Sequence, residues 1–168
     1  MKPTTRQALK LLQEGAKELA VVEANGICID EKYLHSKYEE TKTEIKRLKN
    51  KLEKSKVYKR MRRRFSNKTN LNSRTQIAQV LIEEMGIAKA DKTEAGNYKM
   101  DADTLRKIDH PFVREFLRLQ KLQKIVSTYL SGIIQETIDG KLHPFFNLHT
   151  TRTYRSSSSN PNFQNMPS

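Results

Sequence analysis

The 168-residue chain contains no tryptophan and one cysteine, Cys28. A single cysteine cannot form an intrachain disulfide, and it excludes metal sites built from several cysteines. The chain has no apolar run close to the eighteen or so residues that a transmembrane helix needs. Its N-terminal segment lacks the apolar core of a signal peptide. These absences predict a cytoplasmic protein in a reducing compartment, without a membrane partner.

Apolar residues are also scarce. The hydrophobic fraction is 36%, the charged fraction is 30%, and the mean hydropathy is −0.77. This composition favours an elongated helical body with a thin core over a compact globule. At this length, we expect one domain, or one domain and part of another.

Positive charge is abundant and concentrated in one stretch. The net charge is +13, and residues 42–64 hold twelve lysines and arginines against two glutamates, which gives +10. The rest of the chain has 20 basic and 17 acidic groups, which gives +3. We call residues 42–64 the basic stripe, which is typical of proteins that bind a polyanion. A solvated helix face is the alternative interpretation, although such faces usually mix both signs.

The first half of the chain predicts two helices. Apolar spacing predicts a helix over 5–24 that ends at Gly26, followed by a short apolar link. Asp30 is a suitable N-cap for a second helix over about 31–64. Its apolar residues follow a 4-3 spacing, which is typical of paired helices, and the spacing slips near Ser55. We therefore expect a long projecting helix with a bend or break at that position.

The second half predicts shorter elements and one more long helix. Ser73 is expected to cap a helix over 74–85, and Asp101 or Asp103 to begin a brief one. A long helix over 111–138 should end at Gly140, and a hairpin of short strands should follow within 141–155.

The predicted fold is mainly α. It is a long antiparallel helical hairpin with short helices and a small β-hairpin at its C-terminal end. The predicted divisions are 1–29 as a leading helix and link, 30–140 as the helical body, and 141–168 as strands and a loop.

Residues 151–167, TRTYRSSSSNPNFQNMP, are rich in hydrogen-bond donors and show no helical or strand period. The strongest donors are Arg155, Asn162, Gln164 and Asn165. Such a segment suits contact with a polar partner, and a Ser/Asn-rich linker is the alternative.

Four segments stand out in order along the chain: VVEANGICID (21–30), NLNSRTQIAQVLIEEMGI (70–87), KIVSTYLSGI (124–133) and TRTYRSSSSNPNFQNMP after HPFFN. Together they resemble segments of family A DNA polymerases of the bacterial and phage DNA polymerase I type. The resemblance spans about residues 15–167. It implies the thumb and the start of the palm, and it implies that the chain is an N-terminal part of the polymerase domain.

The resemblance implies duplex primer-template DNA as the partner. It puts Arg155 at the primer end and the incoming dNTP. Donors at this site can check base-pair shape, because all Watson–Crick pairs present similarly placed minor-groove acceptors. The other positions that it implies for DNA contact are Asn70, Asn72, Ser73, Lys124, Ser127, Thr128, Thr151, Thr153, Asn162, Gln164 and Asn165.

Three positions depart from the family pattern. Tyr154 stands where glycine is usual, and Ser156 stands where an apolar residue is usual. Gln120 replaces a basic residue four positions before Lys124, which removes one expected phosphate contact. The two departures at Tyr154 and Ser156 favour a phage or other divergent polymerase, acting in a bacterial cell or an infected host.

The carboxylates that hold catalytic Mg²⁺ in this family lie beyond the last residue of this sequence. Asp101 and Asp103 are interpreted as helix caps, and the four histidines are scattered, so we predict no metal site in this chain. Mg²⁺ and dNTP binding are expected only in a complete polymerase. We therefore expect a truncated product, or one half of a split enzyme completed by a second polypeptide. The alternatives are a stand-alone, non-catalytic nucleic-acid-binding module and a structural helical-hairpin interaction protein.

Overall fold

The structure is a computed structural model that describes residues 4–89, 91–93, 96, 98–99, 101–148 and 155–163. The chain divides into two compact units, which are described separately. The first unit contains Met1–Glu39 and Ile125–Ser168, and the second contains Glu40–Lys124. The divisions predicted from the sequence stay a prediction.

Helices dominate, as predicted. They are α1 (Thr5–Asn25), α2 (Glu31–Glu53), α3 (Lys56–Phe65), α4 (Arg74–Gln79), α5 (Ala102–Arg106), α6 (Pro111–Lys124) and α7 (Ser131–Glu136). Helix α4 continues into a π-helical segment, Val80–Glu84, and α6 continues into another, Ile125–Leu130. Within the described ranges, no helix is both long and apolar enough to cross a membrane.

The helix starts carry the predicted caps. The Tyr33 N–H donates to Asp30 Oδ1 at 2.9 Å at the start of α2. The predicted break is at Ser55, which has extended backbone angles and whose hydroxyl oxygen accepts the Tyr58 N–H at 3.1 Å. This side chain replaces an intrahelical acceptor, so α3 begins as a separate helix.

The second unit has an apolar core drawn from α2 through α6. Phe112 and Phe116 stack with their ring centroids 6.3 Å apart. The fully buried large side chains of this core are Leu48, Leu52, Val57, Met61, Ile77, Val80, Leu81, Leu105, Val113, Phe116 and Leu119. Leu48 and Leu52, which belong to the 4-3 spacing of apolar residues in the predicted 31–64 helix, are both buried.

Charged side chains bridge α2 and α6. Lys51 Nζ lies 2.6 Å from Glu115 Oε1, and Arg118 lies 3.0 Å from Glu44 Oε1. Numbering rises along α2 as it falls along α6, so the two helices run antiparallel, as predicted. A hydrogen bond from Arg47 is the main reason that the pKa of Glu44 lies below its ordinary value of 4.5.

The first unit contains a three-stranded antiparallel sheet. Its strands are β1 (Ile27–Cys28), β2 (Thr137–Ile138) and β3 (Lys141–Leu142), with β3 in the centre. The predicted apolar link after α1 is therefore a strand. The predicted helix over 111–138 ends instead at Glu136, because the next two residues pair with β3.

Gly26 and Gly140 lie at the ends of strands of this sheet. Gly140 and its neighbour Asp139 both have positive φ, which matches the two-residue turn that joins β2 to β3. Gly26 ends α1 with φ 67°, and a Cβ there would lie 2.7 Å from the His143 ring. The His143 Nδ1 in turn lies 2.8 Å from the Glu23 carbonyl oxygen, so a larger residue at position 26 would displace this contact.

A second antiparallel pair confirms the predicted β-hairpin near the C-terminal end. Strand β4 (Phe145–Asn147) pairs with β5 (Ser157–Ser159), with Phe145 opposite Ser159. The second strand lies beyond the predicted range of 141–155. Phe145 remains 54% exposed in the described chain.

Replacing Phe116 by alanine should lower the free energy of unfolding by about 3–5 kcal/mol, because it leaves a cavity in a fully buried core. Phe145→Ala is the matched control, since the same atoms are removed from an exposed site, and it should change stability by about 0.5 kcal/mol or less. Urea unfolding followed by circular dichroism measures both. Equal shifts in the two variants would contradict the assigned core.

Candidate nucleic-acid interface

The loop before α4 is ordered by its own side chains. Asn70 Oδ1 accepts the Asn72 N–H at 2.9 Å, and the Asn70 N–H donates to Gln76 Oε1 at 2.8 Å. The Ser73 hydroxyl oxygen accepts the Gln76 N–H at 3.3 Å, which makes it the predicted cap. Asn70 and Asn72 are exposed, and Ser73 is half-buried. The loop thus presents polar groups beside the first free N–H groups of a helical segment.

Arg74 connects this loop to α6. Its guanidinium donates to Gln120 Oε1 at 2.9 Å, across 46 residues of sequence. Lys124 follows Gln120 by one helical turn, so the two lie on neighbouring positions of the same helix face. Arg74 and Lys124 are exposed. Within the second unit, the structure therefore brings Ser73, Arg74, Gln120 and Lys124 onto one surface, which we call the α4–α6 surface.

Arg74 was not among the predicted contact residues. It is the first residue of α4, where the helix dipole disfavours a cation. A cation at this unfavourable position, directly after a cap, is the signal in the sequence that could have identified it. Its bond to Gln120 puts a positive charge beside the position where the family pattern has a basic residue.

Two further predicted contacts lie on the π-helical segment after α6. Ser127 and Thr128 are both exposed there. Wider π turns inside α-helices occur often at functional sites, because they change the direction in which side chains project. Both hydroxyls belong to the first unit, whereas Lys124 is the last residue of the second.

Residues 151–167, which we call the C-terminal motif, are described over 155–163, around β5. The Ser158 side chain is buried, and its Oγ accepts the Phe163 N–H at 2.8 Å. This bond closes the loop after β5, so that Asn162 is held in an exposed position. Arg155 is also exposed and lies just before β5. The remaining predicted positions, Thr151, Thr153, Gln164 and Asn165, and the departure at Tyr154, lie outside the described residues.

Some cations of the basic stripe form ion pairs or hydrogen bonds, and others form no ion pair with a described residue. Arg64 forms ion pairs with Glu83 at 2.6 Å and Glu84 at 3.6 Å, and Arg60 donates to the Glu84 carbonyl oxygen. The Arg64 hydrogen bond is the main reason that the pKa of Glu83 is lowered. The exposed stripe cations that pair with no described residue are Lys46, Lys54, Lys56, Lys59, Arg62 and Arg63.

The acidic residues considered as metal ligands have structural partners. Asp101 caps α5 by accepting the Thr104 N–H at 2.7 Å, as predicted. Asp103 is not the cap, because it lies inside α5, where its carboxylate pairs with Arg106 at 2.8 Å. In the described ranges, no group of three or more histidines, cysteines, aspartates or glutamates could hold a metal ion.

Comparisons with known proteins give matches to a single family. Residues 31–168 match the family model of DNA polymerase family A. The chain is 36% identical over 154 residues to the thermostable DNA polymerase I of Thermus aquaticus, which covers 89% of this chain and 17% of that protein. It is 31% identical over 166 residues to DNA polymerase I of Geobacillus stearothermophilus, which covers 96% of this chain and 18% of that protein.

A solved structure agrees with these relatives. It is the POL domain of Pol1 from M. smegmatis in complex with DNA primer-template and dNTP. The TM-score is 0.66 at 29% identity, and the match covers 89% of this chain and 25% of that one. The chain thus spans less than a fifth of the two relatives and a quarter of the solved domain.

Proposed function

This chain belongs to DNA polymerase family A, and on that premise we propose that it grips duplex primer-template DNA as part of a DNA-directed DNA polymerase. It would correspond to the thumb and the start of the palm, acting in template-dependent DNA synthesis. The observation that carries this proposal is the α4–α6 surface, where the exposed Arg74 donates to Gln120, one helical turn before the exposed Lys124, although Arg74 and Lys124 lie 50 positions apart in the sequence.

Phosphate contacts explain why this surface suits DNA of any sequence. Arginine and lysine neutralise phosphates and release condensed counterions, which supplies affinity without sequence readout. Asparagine and serine side chains, together with the free N–H groups at a helix start, fix the register of the backbone. The loop of Asn70, Asn72 and Ser73 offers these groups beside Arg74. Ser127 and Thr128 would add further hydroxyl contacts.

The exposed cations of the basic stripe would extend the grip along the duplex. Six of them, Lys46, Lys54, Lys56, Lys59, Arg62 and Arg63, form no ion pair with a described residue, so they are available to phosphates. Their long flexible side chains act as point charges and need no fixed geometry. The +10 charge of the stripe supports this role, because same-sign charge over a short stretch steers a polyanion to the protein.

The C-terminal motif would read the minor groove. Arg155 is proposed to touch the primer end and the incoming dNTP, and Asn162 is proposed to line the duplex with Gln164 and Asn165. Donors here test base-pair shape, since purine N3 and pyrimidine O2 occupy similar positions in every correct pair. Thr151 and Thr153 belong to the same proposed contact segment.

Nucleotidyl transfer needs divalent metal ions held by carboxylates. The described residues do not fit such a site, since no three of their histidine, cysteine, aspartate or glutamate side chains are grouped so that they could hold a metal ion. The proposal for this chain is therefore confined to DNA binding, and Mg²⁺ and dNTP binding belong to a complete polymerase. We further propose that a second polypeptide supplies the other half of the polymerase. The proposed place of action is the cytoplasm.

A non-catalytic nucleic-acid-binding module is the second candidate. One observation favours it: the α4–α6 surface is built entirely from residues 40–124, which form a unit with its own core. This candidate predicts that duplex binding does not depend on other polymerase parts. A purely structural helical hairpin would instead show no DNA affinity at moderate salt.

The isolated chain should bind a duplex of mixed sequence with strong salt dependence. The logarithm of the binding constant should fall linearly with the logarithm of salt concentration, with a slope of about −0.9 for each phosphate contact. Arg74→Ala and Lys124→Ala should each make that slope shallower by about 0.9. Fluorescence anisotropy of a labelled duplex at several salt concentrations measures this.

Lys10→Ala is the matched control, because it removes one exposed charge that already pairs with Glu14 at 3.7 Å. It should leave the salt slope unchanged. A wild-type chain with no affinity at low salt would contradict the proposed function. Equal slope changes in all three variants would contradict the assigned surface.

Substitutions of Ser73 separate its capping role from phosphate binding. Asparagine and aspartate cap helices about as well as serine, so both variants should keep the stability of the chain. Ser73→Asp should weaken duplex binding roughly tenfold, because its charge repels a phosphate, while Ser73→Asn should bind like the wild type. Anisotropy titration at one fixed salt concentration measures the ratio. Equal affinities would leave Ser73 as a cap only.

A further inference from the structure

Three lysines outside the proposed interface meet at one depression of the second unit. Lys89, Lys99 and Lys107, together with Asp91 and Thr104, line a cavity of about 290 Å³. None of the three lysines lies in the sequence segments that carry the family resemblance or in the basic stripe. They come from three separate places in the chain, so their convergence is a property of the fold.

Each lysine is placed by a neighbouring anchor. Lys89 follows Ala88, which is buried, and Lys107 precedes Ile108, which is also buried in the core. Backbone pairing places Lys99, whose N–H donates to the Asp91 carbonyl oxygen at 2.8 Å.

The turn that carries Lys99 is fixed from both sides. Lys92 and Tyr98 form an isolated antiparallel bridge, and the Lys92 ammonium lies 5.3 Å from the centre of the Tyr98 ring. Tyr98 also hydrogen-bonds to the Glu83 carboxylate, and burial together with that bond raises the pKa of the tyrosine. The Lys99 backbone is therefore held at the depression by packing and hydrogen bonding.

The charge at this depression is not balanced. Among the described residues, three ammonium groups and one carboxylate line it, for a local charge of +2, and the Asp101 carboxylate, which interacts with Lys99, is not part of this lining. None of the three ammonium groups forms an ion pair with another residue in the described ranges. Like charges that share a small volume repel one another, and a bound anion would convert that repulsion into attraction.

We propose that Lys89, Lys99 and Lys107 form a phosphate-binding site separate from the α4–α6 surface. Lysines are strongly hydrated point charges without the planar fork of arginine, so the site would recognise charge and not a particular base or sugar. The phosphate could belong to a nucleic-acid backbone or to a free phosphate compound. Both sources present the same phosphate group, and separate titrations with duplex DNA and with pyrophosphate distinguish them.

The test uses the full chain and the triple variant K89Q/K99Q/K107Q. The control is K10Q/K17Q/K32Q, which removes the same charge from exposed lysines of the first unit. Pyrophosphate is titrated against ¹⁵N-labelled protein by NMR, and a 20-base-pair duplex is titrated at several salt concentrations. Unchanged amide spectra elsewhere in the chain verify that the variants fold.

For a backbone phosphate, the triple variant should make the salt slope of duplex binding shallower by up to about 2.7, and the control should not. For a free phosphate compound, pyrophosphate should shift the amide signals of residues 89, 99 and 107 in the wild type, but not in the triple variant. A chain that fails to bind the duplex yet shows these pyrophosphate shifts would contradict the proposed function and keep this site. If neither titration responds to the triple substitution, the site is refuted.

Discussion

The apolar core of the second unit is the constraint on which the proposed interface depends. Phe116 and Leu119 of α6 are fully buried in the same cluster as Ile77 of α4. This packing holds the start of α4 against α6, so that Arg74 can reach Gln120. Neither helix alone carries all the cations and hydrogen-bond donors proposed to contact the phosphates of a duplex. The surface therefore exists only while the core keeps these two distant segments together.

The distribution of acidic residues is a second consequence of that packing. Glu44 and Glu115 are used between α2 and α6, and Glu83 and Glu84 pair with Arg64. These carboxylates form ion pairs where helical segments pack together. The exposed face of the basic stripe therefore keeps its excess of positive charge. The ion pairs are partly exposed, so each adds little stability by itself. Their larger effect is on where the remaining charge lies.

Local signals in the sequence predicted most of the helical structure. The sequence predicts Asp30 and Ser73 as caps, and Asp101 as one of two candidates with Asp103, because capping depends on residues within one turn. The slip in spacing at Ser55 likewise predicted the break between α2 and α3. Strand β1 was missed, since a two-residue strand is defined only by its distant partner β3. The contact of Arg74 with Gln120 was missed for the same reason: its two residues are 46 positions apart.

We propose that duplex DNA contacts the α4–α6 surface. The most direct measurement is an NMR titration of the ¹⁵N-labelled chain with a short duplex at low salt. Amide signals of residues 70–76 and 120–124 are expected to shift together and saturate at one concentration, while those around Lys10 stay unchanged. Shifts confined to other parts of the chain, or no shifts at all, would contradict it.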